Sequence, residues 1–172
     1  MMSNNRIYFA HGKESGPWGT KIARMAEVAK ELGFDVVSPD YSSTMDPEER
    51  VRMLLNLNPT AEGSLILVGS SMGGYVSTVA SSTIKPQGLF LLAPAFYIPG
   101  YTHQEPIPTA DVTEIIHGWN DEIIPFDHSI RFAQKYQTTL HLVDSDHRLT
   151  SQLERVVEVF TNFLNRSLGN LT

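Results

Sequence analysis

The 172-residue chain reads as an α/β protein, a three-layer α/β/α sandwich around a parallel sheet. Two observations carry that reading. Short apolar, β-rich runs alternate along the chain with longer segments of helical period. One of those runs, Gly88-Leu89-Phe90-Leu91-Leu92, is too apolar and too short to be other than a central strand buried on both faces. Strands alternating with helices pair in parallel through right-handed crossovers, which puts helices on both sides of the sheet.

The elements follow in order. Ile7-Tyr8-Phe9-Ala10 is a strand, and 20–32 a helix with Ile22, Met25, Ala26 and Ala29 on one stripe. Gly33 ends that helix and 34–38 forms the second strand. Asp46-Pro47-Glu48-Glu49 is a helix start: a capping carboxylate, a proline whose missing N–H costs nothing there, and acids at the positive dipole end. That helix reaches about 57. A third strand spans 64–68, followed by a helix over 72–82, the strand at 88–92 and an irregular loop over 93–110 with prolines at 94, 99, 106 and 108. A fifth strand covers 112–117, a helix 127–135, a sixth strand 139–143, and a last amphipathic helix 150–166.

Composition narrows the function classes. Hydrophobic residues at 41% and charged residues at 19% suit a globular domain, and 1–172 reads as one domain without repeats or linkers. The formal charge of −6, with no Lys/Arg cluster, argues against nucleic acid as a partner. The absence of cysteine excludes disulfides, thiolate metal sites and a cysteine nucleophile. Residues 1–6 lack the apolar core of a signal peptide and no run reaches membrane-spanning length, so a cytoplasmic protein with no membrane partner is expected. No His/Asp spacing suggests a metal site, and none is expected.

Directly after the apolar run Leu65-Ile66-Leu67-Val68 stands Gly69-Ser70-Ser71-Met72-Gly73, which fits G-x-S-x-G in one register only. The pattern alone is weak, since roughly one chain in fifteen of this length holds it by chance. Its place between strand and helix strengthens it, because small neighbours let the backbone turn sharply and leave the Ser71 hydroxyl exposed. In open parallel sheets reactive groups gather at the carboxyl ends of strands. Four such loops carry polar residues: Ser71 after the third strand, 118–122 after the fifth, 144–147 after the sixth and 11–13 after the first. A serine hydroxyl needs a base, and the base needs an acid to fix its tautomer. The chain offers Asp121 and His147. A developing oxyanion needs two donors, for which the backbone N–H groups of Met72 and Lys13 are the candidates.

On these residues the chain resembles the α/β-hydrolase superfamily, and most of all its small cap-less bacterial serine esterases. The likeness rests on 7–12, on 67–75, on His117-Gly118-Trp119-Asn120-Asp121-Glu122-Ile123-Ile124-Pro125 and on Asp146-His147, in the family's order and across nearly the whole chain. The resemblance implies Ser71 as nucleophile, His147 as base, Asp121 as acid, and Met72 with Lys13 as oxyanion donors. It also implies six parallel strands ordered 2-1-3-4-5-6, since the family's first two strands have no counterpart here, and a cap reduced to the 93–110 loop.

Each assignment has a plainer rival. Ser71 competes with a simple capping serine. Asp121 competes with Glu122, Asp144 and Asp146; His147 competes with five other histidines, of which His117 reads as a backbone-bonded strand residue and His11 as part of the oxyanion loop. Trp18, Phe96, Tyr97, Tyr101 and Trp119 are candidates to line an acyl or alcohol pocket, or simply pack loops onto the domain. The expected activity is hydrolysis of a small carboxylic ester or thioester through an acyl-enzyme, without a cofactor. A serine peptidase, or a binding module on the same scaffold, remains the alternative.

Overall fold

The computed structural model describes residues 4–169; residues 1–3, part of the start read against a signal peptide, lie outside them. Six strands form one sheet in the order β2-β1-β3-β4-β5-β6, every pair parallel. The strands are β1 Asn5–Ala10, β2 Phe34–Val37, β3 Leu65–Ser70, β4 Gly88–Leu92, β5 Val112–Gly118 and β6 Thr139–Val143. The helices are α1 Thr20–Glu31, α2 Pro47–Asn56, α3 Met72–Ile84, α4 Phe126–Tyr136 and α5 Leu153–Ser167.

Each crossover buries one face of the sheet. α1 and α5 pack on one side, where Met25, Ala29, Phe160 and Phe163 meet Ile7, Phe9, Val68 and Phe90. α2, α3 and α4 cover the other, where Leu54, Tyr75, Val76 and Phe132 meet Tyr8, Leu67, Leu91 and Ile115. The central strands β3 and β4 are therefore buried, and apolar up to Ser70 at the end of β3, whereas the edge strand β6 is only half-buried.

Most boundaries fall within two residues of the sequence expectation, and two differences bear on the site. β3 extends to Ser70, because Gly69 and Ser70 still pair with Leu91 and Leu92. The last helix is delayed: Leu149 takes φ 61°, residues Thr150–Gln152 form a 3₁₀ turn, and α5 starts only at Leu153. No helix among the described residues is long and apolar enough to cross a membrane.

Candidate active site

Ser71 alone makes the turn between β3 and α3. Its φ of 55° and ψ of −118° lie where residues with a Cβ rarely sit. Hydrogen bonds hold it there: the Ser71 N–H donates to the Leu92 carbonyl at 2.9 Å, and its own carbonyl accepts from Gly74 at 2.9 Å and Ala95 at 3.0 Å. The neighbouring glycines answer a demand for space. A Cβ on Gly73 would lie 1.9 Å from the Ala10 carbonyl oxygen, and one on Gly69 would lie 2.2 Å from that of Gly73. Without side chains there, the start of α3 presses against the ends of β1 and β3 and lifts the serine clear of the sheet.

The loops after β5 and β6 meet this serine. The Ser71 hydroxyl lies 3.0 Å from His147 Nε2, and His147 Nδ1 lies 2.6 Å from Asp121 Oδ2. An ionised carboxylate only accepts, so Nδ1 carries the proton and Nε2 is left to accept a hydrogen bond from the Ser71 hydroxyl. The His147 side chain is 17% exposed and the Asp121 side chain fully buried.

Four donors converge on Asp121. Its Oδ1 accepts the N–H groups of Ile123 and Ile124, each at 2.8 Å, while Oδ2 faces both His147 and, at 3.0 Å, Nε2 of the fully buried His117. Burial by itself would raise this carboxyl's pKa; the bonds from His117, His147 and the two amides overcome it and hold the group well below the usual carboxylate range. Such a group stabilises the fold above its unfolded pKa, about 3.9, and loses that contribution as the pH falls through the lower folded value. Asp121→Asn should therefore be less stable than wild type at neutral pH, with the gap narrowing below about pH 4. Urea titrations of both proteins across that range measure it, and a gap independent of pH would contradict the assignment.

The opposite side of the serine is built from β1 onward. Gly12 sits against the serine: a Cβ added there would lie 3.5 Å from Ser71 Cβ. The Gly12 N–H is already committed to Ser15 Oγ at 3.0 Å, whereas the N–H groups of Lys13 and Met72 meet no acceptor among the described residues. The carbonyl of Gly12 accepts from His11 Nδ1 at 2.7 Å and from Arg50 Nη1 at 3.0 Å. Carbonyl and N–H point opposite ways across a trans peptide, so these bonds turn the Lys13 N–H away from the buried side. His11 is held neutral in this role, since its Nε2 accepts the Tyr41 N–H at 2.9 Å and burial pushes its pKa down. Arg50, 0% exposed, has no carboxylate within 4 Å among the described residues; it also donates to the carbonyls of Lys13 at 3.1 Å and Thr44 at 2.8 Å.

The elbow opens on a cleft of about 660 Å³ lined by Ser71, His147, Met72, Gly12 and Lys13, with Ile22, Ile98, Tyr101, Ile123 and Ile124 as apolar walls. The 93–110 loop supplies Ala95, Ile98 and Tyr101 and is pinned down by the His103 N–H to the Tyr75 hydroxyl at 3.0 Å and the Thr109 N–H to Ser81 Oγ at 2.9 Å. Of the aromatics expected at the pocket, only Tyr101 lines it. Phe96, between Ala93 and Tyr97 at positive φ, is buried and stacked on Phe132 of α4 with centroids 4.2 Å apart. Tyr97 lies 3.9 Å beneath the Arg131 guanidinium. Trp119 leans on Phe126 and Trp18 is 53% exposed, both away from the cleft walls. The wall residues that sequence reasoning misses carry a faint signal: two consecutive isoleucines, Ile123 and Ile124, stand in a loop at the active end of the sheet.

No family model matches the chain. A structure of a Xanthomonas campestris pv. campestris protein, assigned to the alpha/beta hydrolase superfamily, superposes with a TM-score of 0.86 at 31% identity, covering 96% of this chain and 99% of that one. A second X. campestris structure, described as an a/b serine hydrolase without lid, gives a TM-score of 0.74 at 22% identity over 96% of this chain and 83% of its own. Among curated sequences, the mitochondrial palmitoyl-protein thioesterase ABHD10 of Bos taurus is 22% identical over 90% of this chain and 71% of its own length. Identity of 31% over almost the whole of two chains that share this sheet places the protein within a family: it belongs to the α/β-hydrolase superfamily.

Proposed function

We propose that the protein is a serine hydrolase that cleaves a carboxylic ester or thioester by two-step acyl transfer, with 1–172 acting as one domain. The observation that carries the reading is the unbroken line from Asp121 through His147 to the Ser71 hydroxyl, ending in a cleft beside two amides without acceptors. Ser71 attacks the carbonyl carbon as His147 Nε2 takes its proton. The carbonyl oxygen, now anionic, sits against the N–H groups of Met72 and Lys13, where a donor is worth about 10²–10³ in rate. His147 then protonates the departing alcohol or thiol, leaving the acyl group on Ser71. Water, losing its proton to the same nitrogen, releases the acid and restores the serine. Asp121 stays ionised throughout and stabilises the imidazolium. The thioester option draws on the activity for which the ABHD10 relatives are named.

Intact mass after exposure to a fluorophosphonate tests the assignment. Stoichiometric addition to the wild type and none to Ser71→Ala is the expected result. A folded wild-type protein that resists the reagent would instead favour a binding module on the hydrolase scaffold.

A further inference from the structure

The charges around the cleft do not follow those of the whole chain. Net charge is −6, yet the charged side chains lining the cleft are Lys13, Lys21 and Arg148 against a single acid, Glu14. Elsewhere several bases meet acids, Arg6 with Asp35, Arg131 and Lys135 with Glu105, Arg166 with Glu114, while among the described residues Lys30, Arg52 and Lys85 stand singly and outside the cleft. The three cleft bases have no carboxylate within 4 Å among the described residues.

Lys21 is the informative one. It rises from the first turn of α1, half-buried, and donates one hydrogen bond to the carbonyl of Arg148, next to His147 in the chain, at 2.8 Å. The carboxylates whose fields reach it, Asp146 and Asp121, lie beyond ion-pair distance and accept hydrogen bonds from other groups. Asp146 accepts the Arg148 N–H at 3.0 Å, and Asp121 is saturated by its four donors. The first turn of α1 holds no acid and no side-chain cap, so nothing on that helix offsets the ammonium. An ammonium drawn partly out of water with no carboxylate in contact carries a desolvation cost that an anion bound beside it would offset.

We infer that the cleft takes an ester or thioester bearing a carboxylate or phosphate, held beside the scissile carbonyl by Lys21 with Lys13 and Arg148. The inference rests on the hydrolase reading of Ser71 and deepens it by naming the substrate class. The apolar walls Ile98, Ile123 and Ile124 bind the hydrocarbon part, and the cationic rim accepts the charged end. The same rim serves a charge on either side of the bond, in the acyl chain or in the leaving group.

Two matched pairs separate those sources. The 4-nitrophenyl monoester of adipic acid against 4-nitrophenyl hexanoate probes the acyl side. Butyryl-CoA against the butyryl thioester of N-acetylcysteamine probes the leaving side. One anionic member is expected to exceed its neutral partner roughly tenfold in kcat/KM, and the excess should shrink as salt rises from about 0.05 to 0.5 M. Lys21→Met should collapse the anionic-to-neutral ratio. Because damage to the His147 loop lowers both members of a pair together, the ratio reads charge alone. Arg148→Gln, altered at an exposed side chain, serves as the second variant should Lys21→Met not fold. Neutral members cleaved as well as the anionic ones in both pairs overturn the substrate class and leave the hydrolase reading standing. Failure of all four substrates together with failure of fluorophosphonate labelling overturns the hydrolase reading itself.

Discussion

Ser71→Gly is expected to give a protein that is more stable than wild type and catalytically dead. The elbow holds a residue with a Cβ at φ 55° and ψ −118°, and such a conformation stores about 1–3 kcal/mol. Glycine occupies it without strain but loses more backbone entropy on folding, about 0.5–1 kcal/mol. The balance favours the variant by about 1 kcal/mol, or about 2–4 °C in Tm for a domain of this size. Ser71→Ala keeps the Cβ and therefore the strain, so its Tm should stay near that of wild type. Both variants lack the hydroxyl proposed as nucleophile, and kcat on an activated ester should fall at least about 10³-fold. Thermal melts and turnover on the same three proteins decide both points. Equal stability of the glycine and alanine variants would show that the turn is unstrained. Retained turnover would remove Ser71 from the mechanism.

The backbone of this result is legible in the sequence because several signals agree. Val68 ends an apolar run, Gly69 and Gly73 leave room that no other residue could, and Asp121 and His147 fall after later strands in the family's order. Sheet topology follows from alternation and crossover handedness together with the likeness to the family, and the sheet matches it. What stays hidden depends on where side chains point once loops are placed. Phe96 and Trp119 are aromatic residues on loops at the active end, the usual description of a pocket wall, yet one is drawn into the core by α4 and the other lies on Phe126. Ile22 reads as a core residue of the α1 stripe, which it is, while its position in the first turn also brings it to the cleft. His117 reads as a partner of the backbone and does lie 2.9 Å from the Ile124 carbonyl, but its contact with Asp121 has no signal in the sequence. Arg50 sits in the run Glu48-Glu49-Arg50-Val51-Arg52, whose composition is that of a solvated helix face. Only the packing of α2 against the loop after β1 turns that arginine inward.

Arg50→Met follows from that packing and carries the second large effect. The guanidinium joins three backbone carbonyls, those of Gly12, Lys13 and Thr44, and no methionine atom can replace its donors. Unfolding free energy should drop by about 2–4 kcal/mol, since the buried carbonyls lose charged donors while the apolar volume is roughly kept. Lysine at this position is expected to recover little, because a single ammonium cannot reproduce the fork. The effect on catalysis is separate from the effect on folding. With Gly12 held only by His11, the Lys13 amide loses its fixed direction, and kcat per active site should fall about 10–10²-fold while KM changes little. Counting active sites with the fluorophosphonate removes unfolded protein from the rate. The pH dependence of kcat/KM should keep its shape, because Asp121 and His147 lie on the other side of the serine and are untouched. A boronic acid or trifluoromethyl ketone that forms a tetrahedral adduct on Ser71 should lose affinity in proportion to kcat/KM, whereas a ground-state competitor should not. If kcat per titrated site equals that of wild type, Arg50 is only a structural clamp and the direction of the Lys13 amide is set by His11 and the turn itself.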